Sequence, residues 1–278
     1  MNRLIFLLII LSVFLTGCNM DSSIDKPLNI TVFGFIDADS TLITNGETNI
    51  IIDAGEKEHG SIIVEELKAQ GIEEIDCLIL SHPDKDHIGG AADIIKNIKV
   101  KQIIQSNLQK DTKLQNELNK MIQEYNINTI NATKTEIYNF GDIRIKIFSP
   151  SKLSYNKSNN YSLIAYMEYA ERKLLFAGDS ENKRLKEAMN YNIRDMDFYK
   201  VAHHGRANNL SGSFIEKIRP KIAVITSDHG DDEIIKALED SNAHILFTSN
   251  GNINFRIDPS NDNGIEIINE KDFLPSPK

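Results

Sequence analysis

The stretch "LSHPDKDHIGG", residues 80–90, directly follows the apolar run "IDCLIL" and limits what the chain can fold into more than any other feature. His82, Asp84, Asp86 and His87 fall within six residues of one another. The apolar run predicts a buried strand, and a loop at its end can bring the four side chains toward one point. Imidazoles and carboxylates are typical ligands of Zn, Mn and Fe, so the pattern predicts a metal site. The alternative is a solvated polar loop whose histidines are accidental.

Predicted strands and helices alternate along the rest of the chain, without a long linker or a literal repeat. The helical stretches are "SIIVEELKAQG", "IGGAADIIKNI" and "KLQNELNKMIQEY", whose apolar residues recur on one face. Strands are predicted at 29–36, through most of 135–178 with a hairpin turn at Gly141-Asp142, and at "DFYKVA", "KIAVIT" and "AHILFT". A final hairpin is expected around Asn250-Gly251. The alternation predicts an α/β domain.

The amino terminus, "MNRLIFLLIILSVFLTGCNM", is typical of a targeting segment. Arg3 precedes an apolar run that is short for a membrane span, and "LTGC" resembles a bacterial lipobox. We therefore predict a lipoprotein signal peptide at 1–17, lipidation of Cys18, a tether at 18–28 and anchoring at the extracytoplasmic face of the cell membrane. A plain secretory signal would also fit. The other cysteine, Cys77, is expected to be a buried small side chain without a disulfide partner.

The charge of the chain bears on its partners. The 278 residues include 31 Lys+Arg and 40 Asp+Glu, a formal net charge of -9, and removal of Arg3 with the signal peptide would give -10. A broad basic surface for non-specific nucleic-acid binding is therefore not apparent, although a local basic groove remains possible.

The hexapeptide at 82–87 resembles the H-x-H-x-D-H signature of the metallo-β-lactamase superfamily, with Asp84 in place of the second histidine. This departure, followed by "IGG", is similar to the metallo-hydrolase domain of ComEC-type competence proteins and their stand-alone relatives. Further landmarks follow in the family's order: "IIIDAG", "NNYSLIAYMEY", "KLLFAGDS", "FYKVAHHG" and "RPKIAVIT". The resemblance runs from about residue 29 to 257 and implies a single αββα-sandwich domain, placed at 29–270.

The resemblance also implies a site for two divalent metal ions, Zn or Mn. His82 and Asp84 would hold the first metal, and Asp86 and His87 the second. Asp179 would bridge the two.

A histidine of "AHHG" would complete the second site. His203 is preferred because it comes first off the strand, which leaves His204 as a substrate or proton contact, and the reverse assignment stays open. Asp53 is expected to brace the metal loop by hydrogen bonds, and Asp39 stands where the family has an aspartate near the metals.

The chain departs from the family's pattern in two respects. It has no histidine between His87 and His203, where many members have a further ligand, so the first site is expected to bind metal weakly. The G-H-P of ComEC-type domains is also missing, and His229 in "SDHGDDE" is either a substitute or a plain turn residue.

Several other residues have a simpler interpretation. His59 and His244 are expected to be structural, and Ser213 is expected to cap a helix. Lys85 and Arg206 flank the metal motifs and are candidate contacts for a substrate phosphate, or else ordinary exposed cations.

The function implied is a metal-dependent hydrolase that uses a metal-activated hydroxide, with Asp86 and His204 as catalytic residues. A phosphodiester, including short nucleic acid, is the expected substrate. The alternatives are a lactone, thioester or β-lactam hydrolase, and a lipoprotein that binds a ligand without turning it over.

Overall fold

The computed structural model of the chain describes residues 24–261 and 263–268. The predicted signal peptide, Cys18 and the end of the predicted 29–270 domain lie outside these residues. None of the helices in the described ranges is long and apolar enough to cross a membrane.

Most of the strands belong to two sheets. The strands are β1 Leu28–Val32, β2 Thr41–Thr44, β3 Asn49–Ile52, β4 Glu74–Ile75, β5 Cys77–Leu80, β6 Lys99–Val100, β7 Gln102–Ser106, β8 Asn128–Ala132, β9 Glu136–Phe140, β10 Ile143–Phe148, β11 Ile164–Tyr169, β12 Arg172–Phe176, β13 Phe198–Lys200, β14 Ile222–Ile225, β15 His244–Phe247, β16 Ile253–Ile257 and β17 Ile265–Ile268. The first sheet has the order β17-β16-β1-β2-β3-β5-β7-β8, and the second has the order β15-β14-β13-β12-β11-β10-β9. The short strands β4 and β6 pair with each other.

The helices cover the outer faces of the two sheets. They are α1 His59–Ala69, α2 Lys85–Ile88, α3 Ala91–Asn97, α4 Lys113–Glu124, α5 Asn182–Ala188, α6 Ser211–Ile218 and α7 Asp232–Asp240. Ile63 of α1, Ile94 of α3 and Leu118 of α4 pack on the first sheet. Leu185 of α5 and Phe214 of α6 pack on the second.

The central core lies between the sheets and contains apolar side chains from both of them, such as Ile30 and Ile79 from the first and Ile145 and Phe198 from the second. Burial on both faces explains why β5 (CLIL) and β14 (IAVI) are continuously apolar, whereas β10 (IRIKIF) alternates because one of its faces is more exposed. The architecture is an αββα sandwich, which confirms the predicted fold class.

Two groups of parallel strands position the loops that matter for function. In the first sheet β3, β5 and β7 run parallel to one another. In the second sheet β12, β13 and β14 do the same. The carboxyl ends of parallel strands lie at one edge of a sheet, and this edge is where ligand sites in α/β proteins usually form.

Two sequence-based expectations about secondary structure are wrong. Asn250 and Gly251 do not turn a hairpin, because β15 pairs with β14 in the second sheet while β16 pairs with β1 in the first. The stretch "IGGAADIIKNI" is divided between α2 and α3 at Gly89-Gly90. A Cβ on Gly90 would lie 2.4 Å from the backbone oxygen of Ala54, so this close approach requires glycine.

Candidate metal centre

The carboxyl ends of the parallel strands deliver polar side chains to one place. Asp53 follows β3, His82 follows β5, Asp179 follows β12, and His204 follows β13. Asp39 precedes β2, which is antiparallel to β3, so it enters the same edge from the opposite direction. Both sheets therefore contribute to a single cluster.

Four side chains of this cluster meet closely enough to hold one cation. One ligand atom from each of Asp86, His87, Asp179 and His204 lies within 4.8 Å of the other three. His87 Nε2 is 3.1 Å from Asp179 Oδ1 and 3.6 Å from Asp86 Oδ2. His204 Nε2 is 3.4 Å from Asp179 Oδ1 and 3.3 Å from Asp86 Oδ2. This set corresponds to the predicted second metal site, with one change of histidine.

The change concerns the pair in "AHHG". The sequence favoured His203 as the ligand, but the structure places the ring of His204 among the second-site side chains. His203 lies instead on the other side of Asp179, with Nε2 3.9 Å from Asp179 Oδ2 and 3.3 Å from Asn159 Nδ2. Order along the strand does not by itself decide which ring faces the cluster, because both histidines have a left-handed backbone, with φ of 53° and 51°. The geometry therefore favours the assignment that the sequence left open.

The side chains of the predicted first site are further apart. His82 Nε2 is 3.8 Å from Asp84 Oδ2 and 3.9 Å from Asp179 Oδ2. Asp84 is also engaged by other partners, because its Oδ1 is ion-paired with the Lys110 ammonium and its Oδ2 accepts a hydrogen bond of 2.8 Å from Ser158 Oγ. The two oxygens of Asp179 thus face different histidines, as a bridging carboxylate requires.

Asp53 holds the metal loop in position. Its Oδ1 accepts a hydrogen bond of 2.7 Å from the Ser81 backbone N–H, and its Oδ2 accepts one of 2.8 Å from Ser81 Oγ. His87 Nδ1 lies 2.8 Å from the same Oδ2, so Nδ1 donates its proton and Nε2 faces the cluster. A carboxylate behind a histidine ligand fixes the orientation of the ring. This geometry agrees with the bracing role expected for Asp53.

A second support lies behind His204. His204 Nδ1 is 3.0 Å from Thr226 Oγ1 and 3.3 Å from Asp39 Oδ1. Asp39 also accepts a hydrogen bond of 2.6 Å from Thr226 and is ion-paired with Lys200, which is only 3% exposed. The sequence analysis missed Lys200 and Thr226. They could have been found from the sequence, because Lys200 and Thr226 stand at the ends of apolar strands, where a buried polar group needs a hydrogen-bond partner.

The electrostatics of the centre favour a cation. Burial lowers the pKa of His82 to about 4, which leaves the neutral imidazole that metals require. Burial alone would lower the pKa of His204, but Asp179 and Asp39 raise it to about 10. Burial would likewise raise the pKa of the Asp179 carboxyl, yet His87 and His204 hold it well below its usual range. Without a metal, His204 is therefore protonated, and its positive charge balances the neighbouring carboxylates.

Three buried atoms of the cluster make no hydrogen bond of good geometry among the described residues: His82 Nε2, His87 Nε2 and Asp179 Oδ1, although the last two lie 3.1 Å apart. Leaving such atoms unsatisfied in a protein interior is costly, and a metal ion or catalytic role is a recognised explanation. All three atoms are of the kinds that bind divalent metals. The residues present therefore fit the divalent metal ions that the fold implies.

The remaining predicted contacts lie at the surface. Lys85 is ion-paired with Glu56 at 2.5 Å, and Arg206 is paired with Asp37 at 2.9 Å. His229 is exposed at the surface, where its ring lies against the Asp228 carboxylate. The roles of Lys85 and Arg206 as substrate contacts stay predictions.

The simpler expectations also fall on described residues. Ser213 does not cap a helix, because α6 begins at Ser211 and Leu210 occupies its N-cap position. His59 stacks on Phe35, with ring centroids 3.8 Å apart, as a structural histidine would. Cys77 is buried in the central core.

An αββα sandwich with a carboxylate–imidazole centre at the ends of its parallel strands defines a metallo-hydrolase class. The sequence profile of the metallo-β-lactamase superfamily matches residues 34–229. The chain belongs to this superfamily, as its hexapeptide predicted, and is a metal-dependent hydrolase of that group.

Two relatives confirm the predicted ComEC-type resemblance. ComE operon protein 3 of Bacillus subtilis (strain 168) is 29% identical over 207 residues, which cover 70% of this chain and 26% of that protein. Recombination protein 2 of Haemophilus influenzae is 26% identical over 193 residues, covering 68% and 23%. The chain thus spans about a quarter of the length of these relatives.

Among solved structures, the metallo-β-lactamase fold protein YhfI of Bacillus subtilis has a TM-score of 0.60 at 13% identity. That similarity covers 83% of this chain and 100% of YhfI. At this identity the match is one of fold alone.

Proposed function

We propose that the protein is a membrane-anchored, extracytoplasmic phosphodiesterase that acts on short nucleic acid or a similarly small phosphodiester. The observation that carries the proposal is the close approach of buried carboxylate and imidazole ligand atoms around Asp179, whose two oxygens face different histidines. The similarity to ComE operon protein 3 and Recombination protein 2 supports a nucleic-acid substrate. The net charge of -9 favours short substrates over a long DNA track.

The residues that would hold the metals divide into two sets. Asp86, His87 and His204 form one, His82 and Asp84 form the other, and Asp179 reaches both. Two divalent ions in such sites lower the pKa of water and stabilise the charge that develops on a phosphoryl oxygen.

If His204 is a ligand, His203 becomes the candidate proton donor to the leaving group. Its side chain is 19% exposed, whereas that of His204 is fully buried, so a substrate can reach it.

The proposal is tested with a panel of substrates. The purified protein is incubated with Mn²⁺ or Zn²⁺ and offered bis-p-nitrophenyl phosphate, short single-stranded DNA, a lactone and a β-lactam. Phosphodiester turnover is the expected result. Hydrolysis of the lactone alone would assign the centre to carbonyl chemistry, and binding without turnover of any substrate would indicate a ligand-binding protein.

Metal preference follows from the oxygen content of the first site. Because Asp84 replaces a histidine, we expect Mn²⁺ to support activity at least as well as Zn²⁺, since carboxylates favour harder ions. Asp84→His is expected to shift the preference toward zinc, as measured by metal content after dialysis against both ions. Tight zinc binding at both sites of the unmodified protein, with an inactive manganese form, would contradict this expectation.

Anchoring is a separate part of the proposal and rests on the "LTGC" motif. Cys18→Ser is expected to abolish incorporation of labelled palmitate and to release the protein from the membrane fraction or leave it uncleaved. Cys77→Ser serves as the control. Because Cys77 lies buried in the core, this substitution is expected to leave the labelling unchanged. Labelling that persists in Cys18→Ser would rule out the lipobox interpretation.

A further inference from the structure

A cleft of about 320 Å³ opens beside the metal loop. Asp84 and Asp86, which are candidate metal ligands, form one wall, and Lys110 and Thr112 form another. Lys85 also lines the cleft. The cleft therefore begins at the candidate metal centre and leads toward the start of α4.

The charges of this cleft depend on whether the centre holds metal. Lys110 is ion-paired with Asp84, and its side chain is 33% exposed. A divalent ion between His82 and Asp84 would take up the negative charge of the Asp84 carboxylate. Lys110 pairs with Asp84 Oδ1, whereas His82 faces Oδ2, so a metal at Oδ2 would weaken the attraction of Asp84 for the Lys110 ammonium, which lines the cleft.

The far end of the cleft adds to this positive character. Thr112 is the N-cap of α4, and its Oγ1 accepts a hydrogen bond from the Gln115 backbone N–H at 3.2 Å. Helix N-termini carry partial positive charge, so Lys110 and the first turn of the twelve-residue helix α4 both attract an anion. Lys85 contributes less, because it is 72% exposed and already paired with Glu56.

We propose that this cleft binds the phosphate next to the scissile one in an oligonucleotide substrate, and that Lys110 is its main contact. The inference rests on the proposed function and makes it more specific. It is compatible with a net charge of -9, because the contact needs a single local cation and no broad basic surface. The sequence analysis singled out Lys85 and Arg206 for this task and missed Lys110.

The experiment measures binding instead of turnover. Fluorescein-labelled phosphorothioate hexathymidylate is titrated with the full-length protein loaded with Mn²⁺, and anisotropy is followed at several salt concentrations. Lys110→Gln is expected to weaken binding about tenfold, since a charge-assisted hydrogen bond is lost. It is also expected to reduce the slope of log K against log salt by about 0.7, the value of one contact with single-stranded phosphate.

Lys120→Gln is the matched control. It removes the same charge from an exposed residue two turns further along α4 that does not line the cleft, so affinity and slope are expected to stay unchanged. Metal content is measured for both variants. An altered metal content in Lys110→Gln with an unchanged salt slope would mean that Lys110 acts through Asp84 alone, and would overturn the proposal.

The outcomes separate this inference from the proposed function. Binding that depends on Lys110 in a protein without phosphodiesterase activity would refute the function and support the cleft. Phosphodiester turnover together with equal hexathymidylate affinity of the unmodified protein and Lys110→Gln would support the proposed function and refute phosphate binding in the cleft. An absence of hexathymidylate binding by the unmodified protein would also overturn it.

Discussion

Substituting Asp179→Asn is expected to lower phosphodiester turnover by about 10²–10³-fold, the loss that follows removal of a single strong electrostatic stabiliser from an active site. Asp179 is 3% exposed, and its two oxygens face separate histidines, His87 at 3.1 Å and His82 at 3.9 Å. Asparagine has nearly the same shape but supplies one neutral oxygen in place of a shared negative charge. Two cations would therefore lose the group that holds them together.

The measurement is the turnover of bis-p-nitrophenyl phosphate with saturating Mn²⁺, together with metal content and circular dichroism. The fold is expected to persist, because the Asp179 backbone N–H still donates to Ser162 Oγ and the packing is unchanged. Asp240→Asn is the control, since Asp240 is an exposed residue paired with Lys236 at the end of α7. Activity within a few-fold of normal in a correctly folded Asp179→Asn protein would refute the bridging role.

The second large effect concerns His204 and His203. His204→Ala is expected to lose the metal of the second site and with it about 10²–10³-fold in turnover, because its Nε2 lies among the ligand atoms of Asp86 and Asp179. His203→Ala is expected to keep that metal and to lose about 10²-fold in turnover, the lower range for a general acid. The pair thus separates ligand from proton donor.

Metal content of the two purified variants is the decisive measurement. A substrate with a good leaving group adds a second one, because p-nitrophenolate needs little protonation and is expected to restore much of the activity of His203→Ala relative to DNA. His204→Ala is expected to gain nothing from the better leaving group. Metal loss in His203→Ala and retention in His204→Ala would restore the assignment that the sequence favoured.

The sequence was sufficient for the fold class and for the location of the centre. The hexapeptide at 82–87 follows a buried strand, so its ligands are close in space because they are close in the chain. Asp53 and Asp179 were found in the same way, each just beyond the end of an apolar strand. These residues could be predicted because each lies a few positions from a recognisable strand, and a single sequence reveals such local patterns.

Contacts between distant segments were decided by the tertiary structure. Lys200 and Asp39 are 161 positions apart, and His204 and Asp86 are 118 apart, so the packing of one sheet against the other sets these pairs. Which histidine of "AHHG" faces the cluster depends on a left-handed backbone that the residue types do not disclose. The sequence around Lys110 does not distinguish it from an ordinary loop lysine, and only the fold places it beside Asp84. The sequence therefore determined which chemical groups stand at the strand ends, while the tertiary structure decided which groups face one another, because that depends on how the two sheets pack.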